Sequence, residues 1–163
     1  MLKIWKYQIS LFGILLAAVC LEATIIPSVW SLLRVDFFIG MIIGQIIFIP
    51  FSQGFGFVII GSLVLQPFSG ARLGFIPLVY IVTYLAVEVL RNVIYLENAF
   101  TQALLGVIFY CLILAATVVL TEVSCLEGLA LPLAAGALLT GAATPVMVCI
   151  VGRLQRAYEL EYE

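Results

Sequence analysis

Long uncharged apolar runs follow one another along the chain, and the charged positions fall into the narrow gaps between them. The first run extends from about Tyr7 to Ile26 and is expected to stop at Pro27, which lacks a backbone donor. Two shorter apolar legs follow, Phe37 to Ile49 and Phe55 to Leu65, separated by the uncharged stretch Pro50-Phe51-Ser52-Gln53-Gly54. Three longer runs complete the pattern: about Leu73 to Leu90, Ala99 to Leu120 and Leu129 to Val151. A spanning helix takes about 20 apolar residues, so the pattern predicts helices whose solvent is lipid. Trp5 and Trp30 bracket the first run, as expected of amphipathic rings at the headgroup layer, with Ser28 to Leu33 lying along the surface.

Composition strengthens this picture. Hydrophobic residues make up 65% of the 163 residues and charged residues 10%, the mean hydropathy is +1.28, and a soluble domain carries about 25% charge. We therefore expect an all-α integral membrane protein, a single domain over residues 1–163. Its fold would be a compact bundle of about six transmembrane helices, two of them short. The net charge of -2, without histidine or a basic stripe, excludes the footprint of a nucleic-acid binder. Lys3 and Lys6 ahead of an apolar run suggest a signal peptide, but Leu21 stands where a small residue would precede cleavage after Ala23. Val19 likewise argues against a lipid-anchored Cys20. The segment is read as a retained first span.

Lysine and arginine set the expected orientation, because cytoplasmic loops carry their excess. Six spans with the N-terminus inside place Lys3, Lys6, Arg91, Arg153 and Arg156 in the cytoplasm and Arg34 and Arg72 outside. Both termini are then cytoplasmic, the second ending in an acidic tail with Glu159, Glu161 and Glu163. If the two short legs form a re-entrant hairpin, four full spans remain and every charged loop keeps its side. The legs also contain an echo: Ile42-Ile43-Gly44 followed by Pro50-Phe51-Ser52 recurs as Ile59-Ile60-Gly61 followed by Pro67-Phe68-Ser69. Antiparallel legs would make this an inverted repeat of the kind transporters use. A sequence rich in isoleucine, glycine and phenylalanine produces such likeness unaided, and that is the preferred reading.

Little chemistry is on offer. Histidine is absent, and Cys20, Cys111, Cys125 and Cys149 have no paired spacing, so they are read as small hydrophobes. No catalytic set, metal site or cofactor is predicted. Buried polar groups are the usual marker of function in a membrane, and here each has a structural account. Asp36 is placed to cap a helix start, and Glu22 to anchor at the interface. Glu88 and Arg91 are three apart and share a helix face as a local pair. Gln45 and Gln66 bond between helices, and Gly40 and Gly44 form a small-xxx-small pair for close packing. Pro145 invites a kink in the last span.

Taken in order, these features resemble the rod shape-determining protein MreD family. The likeness runs from Asp36 to Arg156. It rests on Asp36 opening the second segment, the junction Gln66-Pro67-Phe68-Ser69-Gly70-Ala71-Arg72-Leu73-Gly74, and the span closing in Glu88, Arg91 and Asn92. Gly70, Leu73 and Gly74 match most clearly, with Phe100 to Leu104 and the Thr144-Pro145 step in support. Gln66 departs from the aspartate the family often has there. The resemblance implies a non-catalytic subunit of the bacterial inner membrane serving lateral cell-wall elongation. Its partners would be membrane lipids and MreC and, through MreC, the MreB filament and cell-wall synthases. Asp36, Gly40, Gly44, Gln66, Gly70, Leu73, Gly74, Glu88, Arg91 and Pro145 are the candidate packing or partner-binding residues.

Two other readings compete. The substrate-binding subunit of an energy-coupling-factor vitamin transporter is also a compact six-span chain, although the interior here is poor in hydrogen-bonding groups. A membrane enzyme would need paired carboxylates reaching one substrate, for which the sequence gives no sign.

Overall fold

The computed structural model describes residues 2–29, 35–69, 74–121 and 130–158. Among these residues it is all-helical, with α1 Leu2–Val29, α2 Phe37–Phe48, α3 Phe51–Ser69, α4 Phe75–Arg91, α5 Ala99–Thr121 and α6 Ala130–Ala157 packed as a bundle. Helices α1, α3, α5 and α6 are long and apolar enough to cross a membrane. The 12 residues of α2, at about 1.5 Å each, reach roughly 18 Å against a hydrocarbon thickness of about 30 Å.

Helix α2 is the centre of the bundle. Every residue from Phe38 to Ile46 is buried, and Ile39, Met41, Ile42, Ile43 and Ile46 have no accessible surface. The small-residue rows fix its partner. A Cβ on Gly40 would stand 2.8 Å from Met147 Cβ and 3.1 Å from Thr144 Cα, one on Gly44 would stand 3.0 Å from Val151 Cβ, and one on Gly152 would stand 2.8 Å from Phe48 Cζ. Contacts advance in the same direction on both chains, so α2 runs parallel to α6. Gly40 and Gly44 thus close an internal seam, as expected from their spacing.

Other contacts orient the remaining helices. Tyr7 of α1 meets Gln45 near the end of α2 and packs edge-on against Tyr158, while Leu15 lies against Gly61, beside Phe38. Helix α1 therefore runs against α2 and α6 and alongside α3, where Phe12 also meets Phe57. Helix α4 returns against α3, since Tyr84 covers Gly54 and Phe51 while Gln66 meets Gly74 and Ile76. Helix α5 packs on α6 through Gly106, which faces Gly141 and Thr144. One end of the bundle thus gathers Lys6, Arg91, Arg153 and Arg156. Arg34 and Arg72 lie outside the described residues.

At three prolines the helix boundaries differ from the sequence expectation. Helix α1 continues through Pro27 to Val29, because a proline in the last turn removes only one bond from a helix otherwise complete. The stretch Pro50 to Gly54 is the first turn of α3, since the Pro50 carbonyl accepts from Gln53 and Gly54 amides at 3.1 Å each and proline is tolerated at a helix start. The second leg accordingly grows to 19 residues and contains Pro67. The two Pro-Phe-Ser copies therefore do different jobs, one separating α2 from α3 and the other lying within a helix, so the echo is not a structural repeat. Helix α6 extends past Val151 to Ala157 and carries Arg153 and Arg156 with it.

Candidate functional site

Helix α4 is amphipathic in the reverse of the usual sense. Its buried face carries Tyr80, Thr83, Tyr84 and Val87, and its exposed face carries Leu78, Val82, Leu85 and Val89. In water such a helix would turn the apolar stripe inward. In lipid the hydroxyls seek the interior, where partners are.

The most connected of those partners is Asp36. Its Oδ1 accepts from the Phe38 and Ile39 amides at 3.0 and 3.2 Å, its Oδ2 accepts from the Tyr80 hydroxyl at 2.5 Å, and its own amide donates to Thr140 Oγ1 at 3.0 Å. One residue therefore caps α2 and ties it to α4 and α6. Thr140 lies ten residues into α6, roughly 15 Å along its axis from Ala130, so this node sits well below the end of that helix. A carboxylate at bilayer depth costs about 2.5 to 3.5 kcal/mol even on lenient scales, and three donors on two oxygens offset that cost. The cap expected at Asp36 is thus present; the tyrosine and threonine that complete it were not anticipated.

Gln66 serves the next helix. Its Oε1 accepts from the Gly74 and Ile76 amides at 3.2 and 3.3 Å, satisfying the exposed start of α4. Gly74 has φ 85, a conformation that glycine adopts without penalty. Gln66→Ala is expected to lower stability by about 1 kcal/mol, the usual value of a side-chain cap, in denaturant unfolding of detergent-solubilised protein. Gly70 and Leu73 lie outside the described residues.

At the opposite end Glu88 and Arg91 form the expected local pair, Oε1 to Nη1 at 3.8 Å. Tyr84, one turn before Glu88, donates to the Phe51 carbonyl at 3.1 Å, pinning α4 to the first turn of α3. In the core, Gln45 Nε2 donates to the Tyr7 hydroxyl at 3.2 Å while its Oε1 finds no donor among the described residues. Ser10 and Tyr158 hydroxyls meet at 2.7 Å and fasten α6 to α1. In the first turn of α5, Gln102 Nε2 donates at 2.9 Å to the carbonyl of buried Leu96 in the preceding loop. Cys20, Cys111 and Cys149 are exposed on the outer faces, and Cys125 lies outside the described residues.

The eight predicted residues that lie among the described ones do not form one site. Asp36, Gly40 and Gly44 belong to the α2–α6 seam, Gln66 and Gly74 to the α3–α4 corner, and Glu88 and Arg91 to the far end of α4. Pro145 lies on the outer side of α6, lining a groove with Val146, Cys149, Ile150 and Arg153. What the arrangement offers is a rigid interior whose polar groups are largely engaged with one another, wrapped in apolar outer faces. No family model, curated protein or solved structure matches this chain.

Proposed function

We propose that this chain is a non-catalytic membrane subunit of the machinery that elongates the lateral cell wall, acting in the manner of the MreD family that its sequence resembles. The observation that carries this reading is where the polar groups go. Asp36, Tyr80, Thr140, Gln66 and Tyr84 hold one helix to another or cap a helix end, and the space around α2 is filled by isoleucine, phenylalanine and methionine. Such an interior supports a scaffold better than a polar ligand pocket. The work then falls to the lipid-facing sides and the short loops.

In this proposal the protein sits in the bacterial inner membrane with both termini in the cytoplasm. The gathering of Lys6, Arg91, Arg153 and Arg156 at one end supports that orientation. The partners are MreC and, through it, MreB and the cell-wall synthases, met by helix-to-helix docking. Affinity capture of the tagged protein from gently solubilised native membranes is expected to recover MreC and a synthase. An ATPase module with a tightly held vitamin in their place would overturn the reading in favour of the transporter subunit.

A further inference from the structure

Helix α6 has two faces of different character. Met147, Val148 and Val151 are buried, with Met147 and Val151 seated on α2, whereas Pro145, Val146, Cys149, Ile150 and Arg153 line a groove of about 380 Å³ on the other side. Pro145 lies inside α6, where its ring nitrogen cannot donate to the Gly141 carbonyl one turn back. The groove runs eight residues along the helix, roughly 12 Å, close to the depth of one leaflet's hydrocarbon, about 15 Å. Its walls are apolar apart from Arg153.

Arg153 stands at the end of this groove nearest the bundle's basic face. It is exposed, and its guanidinium has no hydrogen-bond or ion-pair partner among the described residues. Arg156, three residues on, turns its Nε back to the Gly152 carbonyl at 3.4 Å. An unpaired guanidinium on a lipid-facing helix is costly unless it reaches the interface or finds an anion there. A phosphate placed at the mouth of an apolar furrow meets both needs, since arginine grips phosphate with paired donors.

We propose that this groove is a binding site for a single anionic phospholipid, with one acyl chain lying along Pro145, Val146, Cys149 and Ile150 and the phosphate held by Arg153. The lipid covers a face of α6 that none of the protein's other described helices covers, and it neutralises a cation that has no partner among the described residues. Choice among lipids comes from charge, because the apolar furrow accepts any acyl chain while an added net negative charge is favoured by the basic end of the bundle.

The test is native mass spectrometry of the full chain after incubation in mild detergent with phosphatidylglycerol or phosphatidylcholine. Wild type is expected to retain one phosphatidylglycerol in clear preference to phosphatidylcholine. Arg153→Gln should lower that retention about tenfold, the effect of losing one charge-assisted contact. Val146→Trp should lower it as well by filling the furrow with Arg153 intact, and Arg156→Gln should change it less than about twofold. All three positions are on the surface of a helix, so circular dichroism is expected to show the wild-type fold. Equal retention of the two lipids, wild-type retention by Arg153→Gln or by Val146→Trp, or equal losses in the two arginine variants would each overturn the site.

Discussion

Gly40→Leu is expected to be the most damaging single substitution in this protein, lowering stability by about 3 kcal/mol or more and abolishing a folded, monodisperse species in mild detergent. The Cβ alone would lie 2.8 Å from the Met147 Cβ and 3.1 Å from the Thr144 backbone. Neither neighbour is the free end of a flexible side chain, so relief requires α2 to move away from α6. Overpacking in cores typically costs about 1 to 3 kcal/mol, and here the displaced helix is the most buried element, held on other sides by α1, α3 and α4. Gly13 supplies the control. A Cβ there meets nothing within 4 Å, so Gly13→Ala should raise stability by about 1 kcal/mol through helix propensity alone. Denaturant unfolding of the two variants beside wild type separates the accounts: similar behaviour of both glycine substitutions would show that the α2–α6 seam does not bear on stability.

The second large effect is expected at Asp36. Asp36→Leu removes the acceptor for the Phe38 and Ile39 amides and for the Tyr80 hydroxyl together. Losing a cap costs about 1 kcal/mol and stranding a buried hydroxyl a further 1 to 3 kcal/mol or so, giving a loss of about 3 kcal/mol. Asp36→Asn keeps an oxygen for the two amides and a group of the same size beside Tyr80, so it should lose less than half as much. Tyr80→Phe removes one bond and leaves the cap in place, and it should fall between wild type and Asp36→Leu. If Asp36→Leu unfolds at the same denaturant concentration as wild type, the three-helix node is not what holds α2.

The residues that sequence reading recovers and those it misses differ in a physical way. Charges excluded from hydrocarbon mark where helices end, so the six helical segments and the Glu88–Arg91 pair were legible from position alone. Asp36 was legible too, because a carboxylate just before an apolar run has few other uses. Prolines misled at three places. A proline breaks a helix in water by leaving a carbonyl unpaired, yet at a first or last turn, as at Pro50 and Pro27, little is lost, and Pro67 falls in the last turn of α3. Tyr80 and Thr140 were invisible for another reason. A hydroxyl within an apolar helix bonds to its own preceding turn, as Thr144 and Thr83 do, or to a distant helix, and nothing in the local pattern separates the two. The inverted polarity of α4 was readable in principle, since Tyr80, Thr83, Tyr84 and Val87 recur at helical spacing. That reading required knowing first that its environment was lipid.

The parallel pairing of α2 with α6 has a consequence for biosynthesis. The Asp36 amide bonds to a threonine 104 residues further along the chain, while the ribosome adds roughly 5 to 20 residues each second. For about 5 to 20 s after its own emergence, then, the nascent α2 lacks the surface that its glycines are shaped to meet. Tyr80, only 44 residues away, arrives in less than half that time and gives the carboxylate its first interhelical partner. Assembly is thereby ordered: the early helices form a cradle that shelters a segment too short to remain in the bilayer by itself, and α6, made later, closes it. A ribosome stalled before Thr140 would leave that cradle open, presenting quality-control proteases with the Phe38 to Ile46 stretch that the finished bundle buries.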